Sequence, residues 1–176
     1  MSYMKEDFSM KKLLCTVLAL VLCFALCSAP ALAASATIPT AKAFCAALDE
    51  ADIFYTCKGL DSDGDDMIEI EMTSEEAPDY TISYIFSADC EDTYLRIYYL
   101  IDVPEEDLAA ALLTCNELNY DYRFARFILD TTDNTVTLAM DILHTEETSA
   151  ELMLQATIYA CSLYEVGYNA LAEVIG

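Results

Sequence analysis

The run VPEEDLAAALLTCNELNYDYRFARFILDTTDNTVTLAMDIL, residues 103–143, reads as a helix followed by a β-hairpin. Asp102-Val103-Pro104-Glu105-Glu106 is a helix start. Asp102 can cap, Glu105 stands three residues later, Pro104 suits the first turn, and the acids favour the positive helix end. Leu108, Ala111, Leu112, Cys115 and Leu118 then form one apolar stripe, on a helix expected to end near Asn119. Residues 122–130 and 135–143 are rich in β-formers and flank DTTDN, which reads as the turn of a hairpin.

Upstream, residues 80–88 and 93–101 flank DCED and read as a second hairpin. Residues 67–72 alternate, with Ile68, Ile70 and Met72 on one side and Glu69 and Glu71 on the other, the mark of a half-buried antiparallel strand. Residues 53–58 make a short β-rich run before the break at 59–66. Residues 39–52 carry Phe44, Ala47, Leu48 and Ala51 on one helical face. Downstream, Thr145 can cap a last helix in which Leu152, Ala156, Tyr159, Leu163, Val166 and Ala170 step by three and four. Such a helix of roughly 27 residues would span about 40 Å, with Gly167 as a point where it could kink or its end project. The order is α-β-β-β-β-α-β-β-α. That predicts an α+β fold of two layers, an antiparallel sheet of five to six strands under three helices.

This order, with the 103–143 run, resembles the YbjN domain family, whose fold is similar to that of type III secretion chaperones. The signs are the Val-Pro-acidic helix start, Asn116-Glu117-Leu118-Asn119 at the helix end, the arginine-bearing strand 123–130 closing in Leu-Asp, then the hairpin and the long acidic-capped helix. The likeness runs over roughly residues 40–175. It implies a protein-binding or regulatory domain, often a dimer, with no catalytic residues to carry over. Independently, Asn119 suits a helix C-terminus, because Asn tolerates left-handed backbone, and Asn116 could bond the following loop.

The first 33 residues read as something other than fold. Met10-Lys11-Lys12 is a positive start, 13–27 is a short apolar run, and Ala31-Leu32-Ala33 supplies a small-x-small cleavage pattern. Together they describe a secretory signal peptide with a start at Met10, too short for a comfortable membrane-spanning helix, with an uncleaved signal anchor as the alternative. Residues 34–38 are then a tether and 39–176 a single domain, exported to the cell envelope or secreted. From Ala34 onward the chain keeps 5 of its 8 basic and 29 of its 31 acidic side chains, a net charge of −24. That field repels phosphate backbones and anionic membranes, so nucleic acid and membrane surfaces are excluded as partners. The apolar fraction is too high for disorder.

Five cysteines remain there: Cys45, Cys57, Cys90, Cys115 and Cys161. An exported chain permits disulfides, but the odd count and wide spacing also suit small buried hydrophobes. Cys90, in a polar loop, is the candidate exposed thiol. His144 is the only histidine, and no Ser-His-Asp, Cys-His or zinc arrangement can be assembled around it from the sequence. No phosphate-binding glycine loop occurs.

GLDSDGDDMIEIE, residues 59–71, raises calcium. Asp61, Asp63 and Asp65 fit loop positions one, three and five. Position six is Asp66 instead of glycine, and position twelve is Met72 instead of glutamate. The stretch therefore reads as an acidic hairpin turn, with a Ca²⁺ site on those three aspartates as the alternative. No cofactor and no enzyme activity are expected. The expected role is protein or peptide binding as a homodimer, through the sheet face or an edge strand. Tyr80, Tyr84, Tyr94, Tyr98 and Arg96 are the candidate contact residues, since exposed tyrosine patches serve protein binding. Arg123 and Arg126 are expected to pair with carboxylates.

Overall fold

The computed structural model describes residues 35–175. The signal-peptide reading of residues 1–33 lies outside the described residues. The observed elements are α1 (Pro39–Glu50), β1 (Thr56–Leu60), β2 (Asp66–Met72), β3 (Tyr80–Phe86), β4 (Asp92–Asp102), a 3-10 turn (Glu105–Asp107), α2 (Leu108–Asp121), β5 (Arg126–Asp130), β6 (Thr135–Leu143) and α3 (Ser149–Ala172). The strands form one antiparallel sheet in the order β1-β2-β3-β4-β6-β5. This is the α+β arrangement expected from the element order.

Strand alternation decides which face the helices cover. Ile68 stands opposite Tyr84 and Ile70 opposite Ile82, Tyr84 faces Leu95, Leu95 faces Met140 and Ile97 faces Leu138. All of these are buried. Phe44 of α1 lies on this face, its ring 4.8 Å from that of Tyr84 and 5.7 Å from that of Phe86. Helix α3 lies beside α1 over β4 and β6, and α2 covers the β5 end. Among the described residues no helix lies on the opposite face of the sheet.

Asp66 was expected in the turn but opens β2. It shares the parity of Ile68 and Ile70, so its side chain points into the helix layer and is fully buried. There Oδ2 accepts the N–H groups of Thr37 (2.6 Å) and Ile38 (2.5 Å), the residues leading into α1. A carboxylate at the positive end of a helix is favoured by the helix dipole as well. Residue 38, the N-cap of α1, has no cap of its own, so a strand residue supplies it. The end of the expected 34–38 tether is thereby fixed to the sheet.

Other boundaries shift for identifiable reasons. Asp102 pairs with Thr135 as the last residue of β4, so it does not cap α2. The three acids that follow it form the 3-10 turn instead. Helix α3 begins at Ser149, after a turn in which the Thr148 and Ser149 amides bond Thr145 O. Helix α3 runs through Gly167 as one element. The glycine's missing Cβ lets the helix approach Phe127 of β5, since a Cβ there would lie 2.1 Å from the ring.

The C-terminal end of α2 is tied to an edge strand. Asn119 Nδ2 donates to Phe127 O (3.0 Å), and Phe127 N–H donates to Asn119 Oδ1 (2.7 Å). The amide thus seals one position of β5, the kind of exposed main chain that otherwise pairs with other strands. Asn116 is exposed, so the local role expected for either asparagine falls to Asn119 and reaches a strand instead of the loop. Asn119→Leu removes both bonds and should cost about 1–3 kcal/mol. Hydrogen exchange at the Phe127 amide should accelerate selectively. An unchanged rate there would refute the clasp.

Candidate functional site

Tyr80 and Tyr84 belong to the helix-covered face. The Tyr84 hydroxyl sits 2.6 Å from Thr157 Oγ1, and burial pushes its pKa up. Tyr80 is half-buried, stacked on Tyr164 at 3.7 Å between centroids. Burial raises its pKa as well. Tyr164 in turn donates to Pro78 O at 2.9 Å and is pushed up to about 12 by burial. These tyrosines cement β3 to α3. Tyr84 cannot reach a partner, because the β2–β3 register sets it opposite Ile68 on the core side.

Tyr94, Arg96 and Tyr98 are placed on or beside the open face. The register aligns Glu69, Ser83, Arg96, Ala139 and Arg126 in one row across β2, β3, β4, β6 and β5. Met67, Ile85, Tyr94 and Asp141 form the next row. Asp141 accepts from both arginines, at 2.7 Å from Arg96 Nη2 and in a short contact from Arg126 Nη2. Arg96 Nη1 also donates to Leu95 O (2.8 Å) and Met140 O (2.9 Å). Its guanidinium lies 5.4 Å from the Tyr94 ring centroid. The Tyr94 hydroxyl donates to Asp92 Oδ2 at 3.0 Å, and that bond raises its pKa. Lys58 pairs with Glu69 at 2.8 Å.

Three of the five basic side chains therefore sit on this face, and so do all three ion pairs among the described residues. The face thus holds most of the domain's few basic side chains, while the domain as a whole is strongly acidic. Beside it, β4 bulges between Ile97 and Ile101. Tyr99 there takes a positive φ of 54°, which turns both Tyr98 and Tyr99 outward, 46 % and 70 % exposed. Simple alternation would point Tyr99 inward; a bulge re-aims a side chain in this way. Sequence reading missed it because no glycine marks it.

The remaining candidates are dispersed. His144 Nε2 lies 2.7 Å from Thr93 Oγ1, tying the end of β6 to the start of β4. Cys90 sits in the β3–β4 turn at φ 65°. Arg123 lies in the loop between α2 and β5, not in a strand as expected. Among the described residues no hydrogen bond or ion pair joins any two of His144, Cys90, Arg96 and Arg123. The five cysteines described are all free thiols. Burial pushes Cys45 and Cys115 up to about 11, away from the thiolate that reactivity needs.

In the acidic turn, Asp61 Oδ1 accepts the N–H groups of Asp63 (2.8 Å) and Asp65 (3.0 Å). The Asp65 and Asp63 amides hold its pKa below the usual carboxylate range. Asp65 Oδ1 accepts the Ala88 N–H at 2.9 Å. Two of the aspartates suggested for calcium thus fold the turn and fasten it to its neighbour. Among the described residues no group of three or more His, Cys, Asp or Glu side chains could hold a metal ion. No described helix is long and apolar enough to cross a membrane.

Comparison with curated proteins gives no match, and comparison with solved structures gives none. Residues 40–164 match the family model YbjN, described as "Putative bacterial sensory transduction regulator". The match runs from the first turn of α1, through every strand, to the middle of α3. It covers well over half of the chain, and the protein belongs to the YbjN family.

Proposed function

We propose that the chain is an exported, non-enzymatic domain of regulatory or chaperone-like type that binds a protein or peptide partner on its open sheet face and works as a homodimer. The observation that carries the reading is the uncovered face itself. It gathers the ion-paired side chains Lys58, Glu69, Arg96, Asp141 and Arg126 beside the outward-turned Tyr98 and Tyr99. Aromatic side chains and arginine are the residue types that most often carry binding energy in interfaces. Family membership supports a regulatory role, and the positive start, apolar run and cleavage pattern of residues 10–33 support export.

The test uses the full-length chain, tagged at its C-terminus, produced in its own cells and recovered from the envelope fraction. Proteins captured by the wild type should be lost with Tyr98→Ala and Arg126→Glu together, at a loss of at least about tenfold, the scale of a single interface hot spot. Thermal melting should stay within a few degrees of wild type. Equal capture by wild type and double variant would remove the open face from consideration.

A further inference from the structure

The fold brings Cys45 and Cys57 together. Cys45 lies on α1 next to Phe44, whose ring packs on Tyr84. Cys57 lies on β1 opposite Ile68 and is buried with it on the helix-covered side of the sheet. Tyr55 stands two residues before Cys57. Its side chain and that of Cys45 are both partly buried against the core, and its hydroxyl is hydrogen-bonded with the Cys45 thiol. Cys57 is near enough to Cys45 for the two thiols to act on one another electrostatically. The other described cysteines sit apart: Cys90 in the β3–β4 turn, Cys115 on the inner side of α2, and Cys161 on α3 bonded with Tyr80. The odd count of five free thiols therefore divides into one neighbouring pair and three separate cysteines.

The pair lies where main-chain pairing holds the sheet least. β1 is an edge strand with β2 as its one neighbour, and its register with β2 shifts between Cys57 and Gly59. The chain from Cys45 to Cys57 is already drawn in, because the Ile53 N–H donates to Leu48 O at 2.9 Å where α1 ends. A bond between the two sulfurs would close a short ring over this turn and tie the helix to the edge.

We infer that Cys45 and Cys57 form a disulfide in the exported protein, stapling α1 to β1, while Cys90, Cys115 and Cys161 stay thiols. This goes beyond partner binding but rests on the export reading, since disulfides persist in oxidising compartments. The oxidant is the disulfide of a thiol–disulfide oxidoreductase. One cysteine thiolate attacks it, giving a mixed disulfide and releasing one donor thiol. The second cysteine thiolate then displaces the other donor sulfur. The two cysteines lose two electrons, the donor disulfide gains them, and the two thiol protons end on the released donor thiols. Burial pushes the Cys45 thiol up to about 11, so little thiolate forms once α1 is docked. The exchange therefore belongs to folding, before α1 closes over β1.

Trypsin cuts after Lys42 and Lys58, so both cysteines fall in one peptide, residues 43–58, which holds no other cysteine. The full-length chain is produced in its own cells, fractionated, and labelled with N-ethylmaleimide in denaturant before any reduction. Peptide 43–58 from the envelope or secreted fraction should be two hydrogens lighter than the dithiol and carry no label. After reduction it should take two labels. Cys90, Cys115 and Cys161 should be labelled from the outset. Cys45→Ser should leave Cys57 labelled. Reductant should lower the wild-type melting temperature by about 5–10 °C and leave that of Cys45→Ser unchanged. Two labels on peptide 43–58 of the exported chain before reduction would overturn the pair, as would its linkage to any other cysteine. A chain found only in the cytoplasm with residues 1–33 attached would overturn the export reading. The pair is then decided on the purified chain equilibrated with oxidised and reduced glutathione: ring closure at an oxidising ratio upholds it, and two labels there overturn it.

Discussion

Asp66→Ala should cost about 3–5 kcal/mol of unfolding free energy, since it removes two charge-assisted hydrogen bonds and leaves the buried Ile38 N–H without an acceptor. The carboxylate is fully buried and accepts from Thr37 and Ile38. It is the link between the sheet and the start of α1, so its loss should loosen residues 37–41 first. Asp66→Asn keeps an oxygen acceptor and gives up only the charge. It should cost less, about 1–2 kcal/mol. Urea denaturation of the three proteins side by side reads this order. Equal losses for Ala and Asn would mean that the side chain matters by volume and not as a cap.

Gly167→Ala should also destabilise, although alanine is the better helix former by about 1 kcal/mol. The new Cβ would lie 2.1 Å from Phe127 Cε1 and 2.8 Å from Cζ. Phe127 is buried and its main chain is held by Asn119, so the ring cannot simply swing away. Overpacking of this kind costs about 1–3 kcal/mol or more, which leaves a net loss. Phe127→Leu alone should lose about 1–2 kcal/mol through the space it opens. Combined with Gly167→Ala it should lose less than the two changes added together, because each relieves the other. Strict additivity in the denaturation free energies would show that the contact is not what makes glycine necessary.

These two positions show how far the sequence could be read. Gly167 is an odd residue inside a long helical pattern, and local reasoning offers a kink or a projecting end there. The reason for it lies 40 positions away on β5, as the residue numbers themselves show. Asp66 reads locally as a turn residue because it follows three other aspartates and a glycine. Its parity with Ile68, Ile70 and Met72 was nevertheless written in the sequence, and an acid on the apolar side of a strand is a signal of a buried partner. The tyrosines divide similarly. Tyr94 and Tyr98 stay outside while Tyr84 goes in, and only the pairing of Ile68 with Tyr84 and of Ile85 with Tyr94 decides it.

The sequence by itself determined the element order, the α+β class, the antiparallel hairpins and the acidity. Each of these follows from local sterics, from periods of two and 3.6 residues, and from charge counted along the chain. Tertiary structure alone decided the strand order, the bulge that turns Tyr99 out, the burial of Tyr84, and the sharing of Asp141 by Arg96 and Arg126. Those contacts join groups far apart in sequence, 45 residues for Arg96 to Asp141 and 28 for Ile38 to Asp66. With 29 carboxylates for five basic side chains, the sequence offers many possible pairings for each arginine. Cross-strand register selects one, because only directly opposed or diagonal neighbours on one face of a sheet come within reach.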